Sequence, residues 1–116
     1  MSTSINGFYA AYLTGSAGQG LAMLVFRNGT IVGVDAGGGK YDGSYRDSGD
    51  GFSVKLKVAL PPNTLLIHGV SSGPQTELSE LEVQLPADFL SQPFIRINAH
   101  HGPVNAKLVK LRELNE

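Results

Sequence analysis

Ser53-Val54-Lys55-Leu56-Lys57-Val58-Ala59-Leu60 alternates without a break: Val54, Leu56, Val58 and Leu60 fall on one side of an extended chain, and Ser53, Lys55, Lys57 and Ala59 on the other. Side chains alternate faces along a strand, so this is a strand with one face in a core and the other in water. Pro61-Pro62 ends it, because proline has no N–H to give to a ladder.

Short runs rich in Val, Ile, Leu, Phe and Tyr flank this strand on both sides, with turn residues between them. Before it come Gly7 to Leu13, Leu21 to Arg27, Thr30 to Asp35 and Lys40 to Tyr45. Asn28-Gly29 joins two of these as a two-residue hairpin, since both residues tolerate the positive φ angles of a type I′ turn. After it come Leu65 to Val70, Glu77 to Leu85, Phe94 to Ala99 and Val104 to Leu111. Leu78, Leu81 and Leu85 in the second of these also match helical spacing. We read a strand with an irregularity near Ser79, and one helical turn over Pro86 to Leu90. Nine runs result, or eight strands if two short ones merge. Many short antiparallel strands at near-even spacing predict an all-β domain: an eight-stranded antiparallel up-and-down β-barrel, which also removes exposed sheet edges. The barrel domain is expected over 7–112, with an N-terminal tail 1–6 and a C-terminal tail 113–116.

Composition agrees. At 116 residues, 41% hydrophobic and 16% charged, the chain suits one domain with a real core and not a disordered segment. Its net charge of −1 offers no basic excess for phosphate backbones, so no direct nucleic-acid partner is expected. It has no cysteine, hence no disulfide or thiolate metal site. The longest strongly apolar stretch, Leu21 to Phe26, is far shorter than the ~20 residues of a membrane helix, and the N-terminus does not read as a signal peptide. The expectation is a cytoplasmic protein without a membrane partner.

The early strands are apolar on both faces. Phe8, Ala10 and Tyr12 oppose Tyr9, Ala11 and Leu13; Leu21, Met23 and Val25 oppose Ala22, Leu24 and Phe26. Only one face can line a barrel, so the other must be covered, by the C-terminal segment or by a second chain. Tyr9, Leu13, Leu21, Met23 and Val25 are the candidates for a barrel-lining or dimer face. Which face points inward is open at this level.

Motifs for chemistry are missing. Gly15-Ser16-Ala17-Gly18-Gln19-Gly20 and Gly37-Gly38-Gly39-Lys40 lack the spacing of phosphate loops and read as turns. Asp47-Ser48-Gly49-Asp50-Gly51 has too few carboxylates for calcium and reads as a polar hairpin tip, or as an acidic tip that docks on a basic partner. Neighbours on a strand point apart, so His100 and His101 cannot share a metal without a bulge. They read as solvated turn histidines. No cofactor, metal site or catalytic residue is expected, and the chain reads as a binding protein and not an enzyme.

Several landmarks follow in order: Gly7-Phe8-Tyr9, then Arg27-Asn28-Gly29-Thr30-Ile31-Val32-Gly33-Val34-Asp35, then Tyr41-Asp42-Gly43. Later come Leu81-Glu82-Val83-Gln84-Leu85-Pro86, Asp88-Phe89-Leu90 and Ile95-Arg96-Ile97-Asn98-Ala99-His100. Their order resembles the GrlR family, negative regulators of type III secretion gene expression, over nearly the whole chain. The resemblance implies a lipocalin-like barrel that forms a homodimer and regulates by protein contact, sequestering a transcriptional activator. That family's founding member uses four consecutive acidic residues in the hairpin after the Tyr-x-Gly strand. Here the matching stretch is Asp47-Ser48-Gly49-Asp50, so Asp47 and Asp50 are the partner-binding candidates. A second class of function is a carrier or sensor of a small apolar ligand, held in a cavity lined by Val54, Leu56, Val58 and Ile97. An open cavity favours the carrier; a filled barrel with an exposed apolar or acidic patch favours the protein binder.

Overall fold

The computed structural model describes residues 4–65, 67, 69, 71–99 and 101–114. The fold is all-β: eight antiparallel strands in a nearly closed barrel, with a single 3-10 turn at Phe89–Ser91. The strands are β1 (Gly7–Thr14), β2 (Gln19–Arg27), β3 (Thr30–Asp35), β4 (Lys40–Asp47), β5 (Gly51–Leu60), β6 (Glu77–Pro86), β7 (Ile95–Ala99) and β8 (Gly102–Glu113). Their order in the sheet is β6-β5-β4-β3-β2-β1-β8-β7. Chain neighbours are therefore sheet neighbours at every step except β6 to β7, and β8 closes on β1. The one interrupted seam lies between β6 and β7.

Local chemistry explains the connections. Asn28 and Gly29 carry φ angles of 49° and 86°, as a type I′ hairpin requires. Gly43 lets β4 press against β5, because a Cβ there would run into the Lys55 carbonyl oxygen. The β1–β8 ladder shifts register between Phe8 and Tyr9. Such a bulge sharpens the twist where the sheet curls shut.

Two sequence expectations need correction. Glu77–Pro86 pairs with β5 residue for residue, so Ser79 carries no irregularity. In the expected run 65–70 the described residues Leu65, Ile67 and Gly69 form no barrel strand. Leu66, His68 and Val70 lie outside the described residues, and Leu65 makes only an isolated bridge to Ser71. The described end of the expected tail 1–6 is tied down: Ile5 is buried, and the Asn6 side chain holds Asn28 and Tyr45. At the other end β8 runs through Glu113, one residue past the expected boundary.

The core sits at one end of the barrel. Tyr9, Phe26, Tyr45, Phe52 and Phe89 form a closed ring of five aromatics, with successive centroids 4.7, 5.4, 6.4, 6.1 and 6.1 Å apart. Each such pair contributes roughly 0.5–1.5 kcal/mol beyond its buried area. Polar tips are satisfied at this floor: Tyr9 Oη donates to the Ile5 carbonyl at 2.7 Å, and Tyr45 Oη donates to Asn6 Oδ1 at 2.9 Å. Burial, then the charge of Glu113 and the neighbouring Tyr45, push the Tyr9 phenol up to about 12.

Candidate functional site

Above the aromatic floor the barrel is hollow. A cavity of about 220 Å³ is lined almost wholly by apolar side chains of all eight strands. Val54, Leu56, Val58 and Ile97, the four residues expected to line such a cavity, all line it. Burial falls from floor to mouth along single strands. In β6 Leu85 is buried while Val83 and Leu81 are half-buried; in β7 Ile95 is buried while Ile97 is half-buried.

Small side chains make the space. Ala11 and Ala22 face each other across the β1–β2 ladder, and Ala106 follows on β8; all three point into the cavity. Barrels of eight strands are filled when these positions are large, and hold a ligand when they are small. The readable signal is alanine at inward positions between bulkier residues. The sequence reading had noted Ala11 and Ala22 but drew nothing from them.

The mouth is covered by the β5–β6 loop. Ser72 is buried there and staples the loop to itself: its hydroxyl donates to the Pro61 carbonyl at 2.5 Å and accepts from Thr64 N–H at 2.9 Å. Leu65 and Ile67 line the cavity from above, and the Ile67 carbonyl accepts from Ala17 N–H on the β1–β2 loop at 2.9 Å. Leu65 and Ile67 thus belong to a cap, and their hydrophobicity serves the cavity.

Polar groups gather at this same end. Asp35 ends the inward row of β3. Its Oδ1 accepts from the Gly37 and Gly39 N–H groups at 3.0 and 2.7 Å, and its Oδ2 accepts from Tyr41 Oη at 2.7 Å. Burial first, then the hydrogen bond to Asp35 and its charge, hold the Tyr41 phenol well above its ordinary range. Across the barrel, His101 Nε2 and Glu77 Oε2 lie 2.6 Å apart, with side chains 22% and 25% exposed. This corrects the reading of His101 as a solvated turn residue. The β7–β8 turn folds against the start of β6, and Glu77 meets it there. His100 lies outside the described residues.

The five candidates for one apolar face fall on two. Tyr9 and Leu13 point inward, opposite Leu24 and Gly20; Leu21, Met23 and Val25 point outward, opposite Tyr12, Ala10 and Phe8. With Val32 and Val34 of β3 these outward residues make a continuous apolar wall on β1–β3. The outer face of β4–β6 is charged instead, with Lys55 beside Glu82 and Lys57 beside Glu80. Asp47 and Asp50 sit exposed at the β4–β5 turn, at the floor end and away from the cavity. The Asp47 carboxylate accepts the Gly49 N–H at 2.9 Å, so it shapes the turn it stands on.

Among the described residues no helix is long and apolar enough to cross a membrane, and no three His, Asp or Glu side chains are gathered to hold a metal ion. Comparison of the chain with protein-family models, with curated proteins and with solved structures finds no match.

Proposed function

We propose that this barrel binds one small, largely apolar molecule in its interior and serves as its carrier or sensor. The observation that carries the reading is the apolar-lined cavity above a closed aromatic floor and beneath an apolar cap. A void of this kind forfeits packing energy, at about 24 cal/mol per Å³ for cavities left in cores, and an occupant restores it. An engineered 150 Å³ apolar cavity already holds benzene. At about 220 Å³ the space suits an occupant on the order of ten non-hydrogen atoms.

The test is a fluorescence titration with naphthalene on the native protein and on Ala22→Phe. Saturation at one naphthalene per chain is expected, with affinity at least about tenfold weaker in the variant because the new ring occupies the space. Folding of the variant is checked by its melting temperature. Failure of the native protein to saturate, or equal affinity in a folded variant, rules the reading out.

A second reading has its own observation. The exposed apolar wall on β1–β3 favours a homodimer that regulates through protein contact, in the manner implied by the resemblance to the GrlR family. Such a protein would work in the cytoplasm on a transcriptional regulator, with Asp47 and Asp50 as the exposed acidic contact. The two readings are compatible: an occupied cup and a contact wall together make a ligand-responsive regulator.

A further inference from the structure

The mouth of the cup has a hydrogen-bonding polarity, and that polarity selects among occupants. We infer that the molecule held in the cavity carries a hydrogen-bond-donating head, a hydroxyl or a protonated amine, and not a carboxylate. This inference rests on the barrel having an occupant at all.

Inward rows set the orientation. Across β4, β5 and β6 the register gives Tyr45, Val54 and Val83 near the floor, then Gly43, Leu56 and Leu81, then Tyr41, Val58 and Ser79 at the mouth. From Val83 to Ser79 is four residues, about 13 Å along the strand. An occupant of the size given above therefore reaches from the apolar rows to the polar one. Its apolar end lies toward the aromatic floor, where the cavity is lined by Phe26, Ile31, Val54, Leu85 and Ile95.

At the polar row Tyr41 and Asp35 present acceptors, and the Ser79 hydroxyl can donate or accept. Tyr41 Oη has given its proton to Asp35, and its raised phenol keeps that arrangement at ordinary pH. What it offers inward is lone pairs. Asp35 is a carboxylate whose Oδ2 takes one donor from the chain, which leaves acceptor capacity on that oxygen. Among the described residues no Lys or Arg lines the cavity; His101 lines it, held to Glu77. Beside Asp35 a carboxylate head would thus meet like charge and the phenol lone pairs, with no lysine or arginine to offset the repulsion. A hydroxyl gives its proton to Tyr41 or Asp35, and an ammonium does so with added charge attraction.

Calorimetric titration of the native protein with octanol, octylamine and octanoate tests this, since the three share a chain and differ in the head. Octanol and octylamine are expected to bind at least about tenfold more tightly than octanoate. Octylamine ahead of octanol assigns the preference to the Asp35 charge; parity assigns it to hydrogen bonding alone. In Asp35→Asn the octanoate penalty is expected to shrink and any octylamine advantage to vanish. Tyr41→Phe, which leaves the Asp35 loop bonds in place, gives a second reading should the first variant not fold. Octanoate binding as tightly as octanol overturns the inference while leaving a bound apolar molecule intact. Absence of binding by all three, with naphthalene also failing to bind, removes the occupant and the inference with it.

Discussion

Tyr9 and Tyr41 illustrate how single side chains tie this barrel together at its two ends. Both are phenols in the interior whose protons are committed, to the Ile5 carbonyl at the floor and to Asp35 at the mouth. For Tyr9 the ordinary value of 10.0 rises to about 12, and Tyr41 shifts in the same direction. A raised phenol favours the folded state below the unfolded value. Above pH 10 the unfolded chain has released the proton while the folded chain still holds it, so stability falls as pH climbs toward 12. Denaturant midpoints are expected to decline over that window, and to decline less in Tyr9→Phe and Tyr41→Phe. An equally steep decline in both variants would place the alkaline sensitivity elsewhere. The roles of these residues were hard to read from sequence for one reason: alternation assigns a tyrosine to a face, but not its hydroxyl to a partner. Asp35 is the clearer missed signal. It ends an inward row that begins with Ile31 and Gly33, and a carboxylate in such a row marks a rim or a site.

Strands, loops and seams were legible to different degrees. β5 could be read outright because one face is buried and the other carries two lysines, which is the pattern of a half-buried strand. Leu65 and Ile67 sit in a run as apolar as a strand yet serve as a cap, because residues over a cavity need hydrophobicity without needing a ladder. Glu77–Pro86 offered helical spacing as well, and ten paired positions on β5 decide for the strand. The β6–β7 seam left no mark in the sequence at all, since it depends on how far the sheet curls. It is bridged at the mouth by the bond between Glu77 and His101, one residue from each side of the gap. His101→Ala is expected to speed amide exchange in β7 and in the first residues of β6, with β2 and β3 unaffected. Uniform rates across the sheet would mean that the pair does not hold the seam.

The whole molecule has two unlike outer walls, charged over β4–β6 and apolar over β1–β3. Met23 and Val34 are 43% and 53% exposed at the centre of the apolar wall and pair with each other across the β2–β3 ladder. If a second copy covers this wall, Met23→Lys with Val34→Lys yields a monomer in sedimentation equilibrium with the fold retained. Sedimentation unchanged by the pair of lysines would exclude this wall as the dimer contact. β1, at one edge of this wall, lies between β2 and β8. On one side β1 therefore pairs with the last strand of the barrel, and this ladder is the pairing of greatest sequence separation among the described strands. Closure of that kind is slow to nucleate. Until the C-terminal strand is made, the nascent sheet exposes both an unpaired β1 edge and the apolar wall beside it. Truncation by a single strand would therefore turn a barrel into an aggregation-prone open sheet.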